Sequence, residues 1–240
     1  LAGATAGTIT INGSGGDGTL NNYGVHVLDS TVQSDGGNIS LIGTPGTVST
    51  VGNSGVFVEN STVQATGVAS VTLTGTGGNG TEDNHGVDIS GATTLVTSVT
   101  ENLLITGNAD GSTLRNRGVL VREGATVSST GAATVTIDGT GGDGTDDNIG
   151  VDIRDANTAV QSGTGDIIIT GTGGNGSGTG NGGVLVLGGA SVLSSGAADI
   201  AITGTATAGD DVEFNTNVAI GGGTAAGNID ITANSLVMQT

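Results

Sequence analysis

The sequence contains no cysteine and no tryptophan, and its 240 residues include one proline, one tyrosine and two phenylalanines. The absence of cysteine excludes disulfide bonds and thiolate metal sites. Because aromatic residues are so few, any interior must be filled by Val, Ile, Leu and Ala. No apolar run approaches the roughly 20 residues of a membrane-spanning helix, so we expect no membrane insertion.

Positive charge is also scarce. The chain has four Lys plus Arg against 22 Asp plus Glu, which gives a formal net charge of -18. Proteins that bind nucleic acid or anionic membrane surfaces need clustered Lys and Arg, so neither partner is expected. The charge fits solubility and cation binding instead.

Glycine is abundant, with 49 residues, which is far above the usual share of about 7%. The glycines follow no Gly-X-Y period, which excludes a collagen triple helix. Low hydrophobicity with high net charge is typical of disordered chains. However, the 58 Leu, Ile, Val and Phe residues exceed the roughly 20% that marks disorder, and they recur in register. The composition therefore indicates an ordered repeat protein.

A phrase with one Asn recurs along the chain, and its clearest copy is GTGGDGTDDNIGVDI at residues 139–153. A self-similar column of this kind is typical of stacked-repeat folds. Equivalent amide side chains can then form a continuous hydrogen-bonded ladder, with a ligand-binding row of Asn on the surface as the alternative. The predicted members are Asn22, Asn53, Asn84, Asn116, Asn148, Asn181 and Asn215.

Each repeat contains three short segments in which apolar and polar residues alternate, the pattern of half-buried strands. The first segment ends at a glycine. Its starts are spaced 29 to 33 residues apart, at Ile9, Ile39, Val71, Leu103, Val135, Ile167, Ile200 and Ile229. The second segment has the inward pairs Val25/Val27, Val56/Val58, Val87/Ile89, Val119/Val121, Val151/Ile153, Val184/Val186 and Val218/Ile220. The third segment is centred on Val32, Val63, Val96, Val127, Val160 and Val192, and in the seventh repeat it fades to Gly-Thr-Ala-Ala.

Three strands and three corners per repeat predict an all-β fold, a single-stranded, right-handed parallel β-helix with one coil per ~32 residues. The whole of residues 1–240 would form one β-solenoid of seven full coils and part of an eighth. Because Val151 would then point inward, Val151→Asp should cost several kcal/mol. Asp152 would point outward, so Asp152→Val should be mild.

The phrases GNIDITANSLVM near the C-terminus, and GVxVxxGATVxS followed by VTIDGTGGDGT, resemble the repeat regions of filamentous-haemagglutinin-like exoproteins. Members of this family are large secreted or surface β-helical proteins of Gram-negative bacteria and cyanobacteria. The resemblance covers nearly the whole chain, although the family's N-terminal secretion domain has no match here. It implies an extracellular protein of the bacterial cell surface, which serves as an adhesin, surface scaffold or fibre component with cell-surface glycans as partners.

Acidic residues gather in the loops before the second strands and on the outward face of those strands. Ca²⁺ prefers carboxylate and carbonyl oxygens, and GGDGTDDN and GGNGTEDN superficially match the calcium-binding nonapeptide of RTX proteins. Nonapeptide sites need immediate tandem copies, whereas these loops occur once per coil, so a solvated acidic face is the simpler interpretation. The candidate Ca²⁺ ligands of the alternative are Glu82, Asp83, Asp88, Asp143, Asp146, Asp147 and Asp152.

No residue pattern indicates catalysis. We expect His26 to point outward from a strand and His85 to lie in a loop, and neither has a second His or Cys with which to bind a metal. The neighbouring carboxylates Asp146 and Asp147 could serve a polysaccharide-acting enzyme, but such an enzyme also needs aromatic sugar platforms and basic residues. The prediction is a protein without catalytic activity or cofactor, with the polysaccharide-acting β-helix enzyme as the alternative.

The two ends of the sequence bear on assembly. The chain begins with Leu1, and neither residues 1–7 nor residues 235–240 resemble a polar cap. Uncapped coils expose unpaired backbone groups that invite pairing with another strand. We therefore expect either a piece of a longer solenoid or copies that stack end to end as a fibre.

Overall fold

The computed structural model describes residues 7–46, 51–222 and 227–239. These residues form 23 parallel β-strands arranged in three sheets, as the repeat predicts. None of them is helical, so this part of the chain has no helix that could cross a membrane. About 32 residues complete each turn of the resulting β-solenoid, and the fold prediction is confirmed.

The first sheet contains the first strand of every coil. Its strands are β1 (Ile9–Ser14), β4 (Ile39–Thr44), β7 (Val71–Thr76), β10 (Leu103–Asn108), β13 (Val135–Thr140), β16 (Ile167–Thr172), β19 (Ile200–Thr205) and β22 (Ile229–Thr232). Each strand pairs with the equivalent strand of the next coil, and all eight begin at the residues that the sequence predicts. Val71, for example, lies between Ile39 and Leu103.

The second and third sheets are built in the same way. The second sheet contains β2 (Val25–Leu28), β5 (Val56–Glu59), β8 (Val87–Ser90), β11 (Val119–Arg122), β14 (Val151–Arg154), β17 (Val184–Leu187), β20 (Val212–Asn215) and β23 (Leu236–Gln239). The third sheet contains β3 (Thr31–Ser34), β6 (Thr62–Ala65), β9 (Leu95–Ser98), β12 (Thr126–Ser129), β15 (Ala159–Ser162), β18 (Ser191–Ser194) and β21 (Ala219–Gly222). The eighth coil contributes β22 and β23.

One continuous hydrophobic core runs along the axis of the solenoid. Its largest fully buried side chains are all Ile or Leu, and Val fills most of the remaining positions. The predicted third-strand valines are at most 4% exposed. Burying each such aliphatic side chain contributes roughly 1.5–3 kcal/mol. Because a coil shares this core only with its neighbours, stability comes from the stacking of coils.

Glycine marks a close approach of two strands within each coil. The sequence predicts that Gly75 ends the first strand of its coil, but Gly75 lies inside β7. A Cβ atom at Gly75 would lie 1.9 Å from the carbonyl oxygen of Gly86, at the start of the second strand. Only a residue without a side chain fits there, so this glycine serves packing.

The seventh coil differs from the sequence prediction. Its second strand, β20, places Val212 and Phe214 inward, where we expected Val218 and Ile220. Ile220 belongs instead to the third sheet, in which it pairs with Val192. The loop before β20 is shorter than its equivalents, which shifts the rest of the coil. The segment Gly-Thr-Ala-Ala, which we expected to be the faded third strand, lies outside the described residues.

Candidate functional site

The Asn column lies inside the corner that precedes the second strand in each of the first six coils. The side-chain oxygen of Asn116 accepts two hydrogen bonds from Asn84, one from its backbone N–H at 3.1 Å and one from Nδ2 at 2.9 Å. Asn148 bonds to Asn181 in the same way, at 3.0 and 2.9 Å. The members from Asn53 to Asn181 are fully buried, so a ligand at the surface would not reach them. The stacked residues are Asn22, Asn53, Asn84, Asn116, Asn148 and Asn181.

Asn215 does not belong to this column, and the prediction for it was wrong. It ends β20, where it pairs with Leu187 and Gln239. The position next to Asn181 is taken by Gly209, whose Cβ would lie 2.9 Å from the backbone of Asn181. The sequence Asn-Thr-Asn at residues 215–217 imitates the Asn-x-Gly phrase, but it follows the second strand of its coil.

The seven carboxylates considered for Ca²⁺ do not converge on one point. Within the described ranges, no three or more His, Cys, Asp or Glu side chains are placed to hold a metal ion. Four of the seven, Glu82, Asp83, Asp88 and Asp152, form ion pairs with arginine.

The other three Ca²⁺ candidates lie in the loop before β14. Asp143 accepts a hydrogen bond from the side chain of Asn175, and Asp146 accepts one from the backbone N–H of Thr179. Asp147 is exposed and has a left-handed backbone, with φ 56°. Asp146 and Asp147 are the neighbouring pair considered for catalysis. In the structure Asp146 stabilises the loop of the next coil through a hydrogen bond, and Asp147 forms a tight turn of the backbone.

All four arginines of the chain line a single groove of about 610 Å³ on the outer face of the second sheet, and we call it the arginine groove. It also contains the only tyrosine and one of the two histidines. Its lining residues are Asn21, Tyr23, Val51, Gly52, Ser54, Phe57, Glu59, Asp83, His85, Asp88, Arg115, Arg117, Leu120, Arg122, Arg154 and Asp155.

The floor of the groove belongs to a row of side chains that point away from the core, of which Phe57, Asp88 and Leu120 line the groove. Because the second strands are in register, His26, Phe57, Asp88, Leu120 and Asp152 form one row across five coils. The last four are only 7, 4, 3 and 0% exposed. Outward positions become this buried only where neighbouring side chains cover them. The expectation that Asp88 and Asp152 lie on a solvated face was therefore wrong.

Tight corners flank the second sheet on both sides. Asp83 and Arg115, which precede their strands, have φ values of 57° and 54°, and Glu123 and Asp155, which follow theirs, have 58° and 78°. Aspartate tolerates this left-handed conformation, but for arginine or glutamate it costs roughly 1–2 kcal/mol. Asp83, Arg115 and Asp155 line the groove from these corners.

Two buried carboxylates are held by three arginines. The Nε atoms of Arg117 and Arg154 donate to Asp152 at 2.5 and 2.9 Å, and the Asp152 side chain is fully buried. Arg122 donates to Asp88 through Nε and Nη2, at 3.2 and 3.0 Å. Bidentate pairs of this kind fix the planes of both side chains. The guanidinium groups are therefore held in position before any ligand arrives.

Aromatic rings close one end of the groove. The rings of His26 and Phe57 stack with centroids 4.8 Å apart and an interplanar angle of 9°. Tyr23 packs against both, at 4.8 Å from His26 and 5.1 Å from Phe57. His26 Nε2 also lies 3.4 Å from Glu59 Oε2. The result is a small aromatic cluster beside the ion pairs.

Burial controls protonation within the groove. It lowers the pKa of His85 well below 6.5, and Arg117 and Arg122 lower that pKa further. His85 is therefore neutral at pH 7, and its Nδ1 accepts a hydrogen bond from the backbone N–H of Arg117 at 3.3 Å. Burial also raises the pKa of Asp88, which Arg122 opposes, and that of Tyr23. The imidazole and the phenol are thus uncharged polar groups at neutral pH.

Carboxylates outnumber arginines in and around the groove. The four arginines face four lining acids, which are Glu59, Asp83, Asp88 and Asp155, and they also pair with Glu82, Glu123 and Asp152. Each arginine therefore has at least one carboxylate partner, in a chain whose net charge is -18. The groove combines closely spaced hydrogen-bond donors and acceptors whose charges are paired, which suits an uncharged polar ligand.

Sequence reasoning missed this groove because it searched for residues that repeat. Tyr23, His85, Arg115 and Arg117 do not recur at the equivalent position of another coil, and Arg122 and Arg154, the last residues of β11 and β14, repeat only once. The sequence did contain a signal that could have revealed the groove. The scarce residue types, which are arginine, tyrosine and histidine, fall at positions that the strand register brings close together. We took His85 for an isolated loop residue, whereas its side chain is buried in this groove.

Comparisons with known proteins identify no relative. No family model matches the sequence, and neither a curated protein nor a solved structure shows significant similarity to it. The functional argument therefore starts from the fold and from the arginine groove.

Proposed function

We propose that this chain is an extracellular structural and adhesive β-solenoid, a surface scaffold or fibre component without catalytic activity. The observation that carries the proposal is the unbroken register of the first sheet, with the same pairing in every coil beside a buried Asn column. Such a stack is a stiff rod whose length scales with the number of coils. A rod that displays the arginine groove on one of its faces fits a protein that spans a distance at a surface and makes contacts there.

Two further features support a surface location. The repeat phrases resemble those of filamentous-haemagglutinin-like exoproteins, which act at bacterial surfaces. The strongly acidic composition keeps a long rod soluble and limits non-specific association. Continuation into a longer solenoid, or stacking of copies end to end, belongs to this proposal.

Antibody labelling of intact cells tests the proposal. Antibodies raised against the purified chain are applied to cells that make the protein, before and after permeabilisation, with an antibody to a cytosolic protein as control. We expect label on intact cells that external protease removes. Label that appears only after permeabilisation would overturn the proposal.

A polysaccharide-acting enzyme is the second candidate function. Asp88 and Asp152 stand in one row with Leu120 between them, so their backbones are two strand spacings, or roughly 9.5 Å, apart. Inverting glycosidases use carboxyl groups roughly 6.5–9.5 Å apart; the strand spacing allows such a pair, although the arginine-bound side chains of Asp88 and Asp152 are only 5 and 0% exposed. An assay for new reducing ends, with soluble glycans and the purified chain, decides between the two functions. Turnover that Asp88→Asn abolishes would favour the enzyme.

A further inference from the structure

We infer that the arginine groove binds an uncharged oligosaccharide along the axis of the solenoid. This inference rests on the proposed adhesive function and names the ligand class of its recognition surface. Its structural basis is the set of fixed arginine–carboxylate pairs that share the groove with the ring of Tyr23.

Charge selects an uncharged ligand over an ionic one. An acidic ligand would meet Glu59, Asp83, Asp88 and Asp155 in the lining, and it would approach through the field of a chain with net charge -18. A cationic ligand would be attracted over long range, but in the groove it would meet four arginines. The groove therefore presents neither an anion nor a cation with opposite charges alone. The hydroxyl groups of a ligand, in contrast, can form hydrogen bonds with both the donors and the acceptors of the lining.

The ion pairs prepare the groove for hydroxyl groups. Arg115, Arg122 and Arg154 keep 39, 31 and 28% of their side chains exposed while each is held by at least one carboxylate. Arginine has five N–H donors in a rigid plane, so donors remain for a ligand. Because the paired carboxylates fix these planes beforehand, little side-chain entropy is lost when a ligand binds.

The aromatic end supplies an apolar contact. Tyr23 is half-buried and packs on Phe57, and both line the groove. A pyranose ring presents one face of C–H groups and a rim of hydroxyls, which matches a phenol with an apolar body and a polar tip. The remaining polar groups, among them Ser54 and neutral His85, lie farther along the same lining.

The length of the groove favours a chain of several sugars. Its lining extends from Tyr23 in the first coil to Arg154 and Asp155 in the fifth. Four steps between adjacent strands amount to roughly 19 Å. A single monosaccharide would contact only part of this length, so affinity should rise with the number of sugar units.

Tyr23 offers a direct test, because the chain has no other tyrosine and no tryptophan. Tyrosine fluorescence of the purified chain is titrated with neutral β-1,4-linked and α-1,4-linked gluco-, manno- and xylo-oligosaccharides, and with an oligogalacturonate as the acidic probe. We expect a saturable change with at least one neutral series, stronger for longer oligomers. No saturable change with any neutral series, or tighter binding of the oligogalacturonate, would overturn the inference.

Variants locate the binding site. Arg115→Gln, whose side chain is among the more exposed of the arginines, should weaken binding about tenfold while leaving the melting temperature nearly unchanged. Calorimetry replaces fluorescence for Tyr23→Ala, for which we expect a similar loss. Gln161→Ala, an exposed change on the third sheet, is the matched control and should bind as the original chain does. Equal binding by all of these variants would contradict a site in the groove.

The two proposals fail separately. Oligosaccharide binding is measured on the purified chain, whereas the proposed surface role is measured on intact cells. Surface label without oligosaccharide binding would refute the groove inference alone. Binding without surface label would refute the proposed location and leave the groove site standing.

Discussion

The interior of the solenoid and its arginine groove are built from opposite kinds of residue. Inside, each column holds one residue type or close substitutes in coil after coil, as in the valines of the third sheet and the asparagines of the corner. In the groove, the floor row changes from His26 to Phe57, Asp88, Leu120 and Asp152. Stacking requires repetition, whereas recognition of a ligand requires a particular set of different groups. Departures from the repeat are therefore where a solenoid of this kind carries its specificity.

Val151→Asp should produce the largest effect, because it tests an interior column. Val151 is fully buried, so the new carboxylate would lie unpaired among aliphatic side chains. We expect a loss of more than about 5 kcal/mol, enough to unfold the affected coils. Urea unfolding followed by circular dichroism measures it, and a loss below about 1 kcal/mol would show that the column is not interior.

Asp152→Val shows how the groove differs from an ordinary outward face. On a solvated face this change would be mild, which is what the sequence predicts. Because the structure buries Asp152 against Arg117 and Arg154, we expect a loss of about 3–5 kcal/mol from the uncompensated arginines. Asp143→Val, at an exposed loop position, is the control and should stay within about 0.5 kcal/mol. Equal stability of the two variants would argue against the buried ion pairs.

Asn116→Ala breaks the Asn ladder at its centre. The side-chain oxygen of Asn116 accepts two hydrogen bonds from Asn84, and its Nδ2 donates to Asn148. Leaving these buried groups without partners should cost about 2–4 kcal/mol. Chemical denaturation measures the loss, and Asn175→Ala, at an exposed loop position, should be nearly neutral. A neutral Asn116→Ala would mean that water or another group replaces the amide.

The fold could be predicted from sequence, because every coil supplies an independent copy of the same pattern. The alternation of apolar and polar residues and the repeat period of about 32 residues were enough to predict where the first strands start and which valines point inward. The prediction failed in the seventh coil, where Asn215 imitates the repeat while a shortened loop moves the strand to Val212. It failed for the groove because Asp88 and Asp152 look like solvated strand residues until Arg122, Arg117 and Arg154 are placed over them.

His85→Gln should have the smallest effect, and the effect depends on pH. The folded protein holds the pKa of His85 well below the usual 6.5. Neutral His85 therefore contributes its stability above that value, and the contribution is lost as pH falls below 6.5, because only the unfolded chain then takes up the proton. Replacing His85 should reduce the fall in unfolding free energy between pH 7 and pH 5 by up to about 1.4 kcal/mol per pH unit. An unchanged pH profile would contradict a buried neutral imidazole.

The central claim is that repeated residues build the solenoid while the groove residues are held ready for a ligand. The free energy of unfolding of the double variant Asp88→Asn, Arg122→Gln tests it most directly, because both charges of one groove pair are removed together. We predict a value within about 1 kcal/mol of that of the original chain, together with loss of oligosaccharide binding. A loss of stability comparable to that of Val151→Asp would contradict the claim, since the groove pair would then be part of what folds the solenoid.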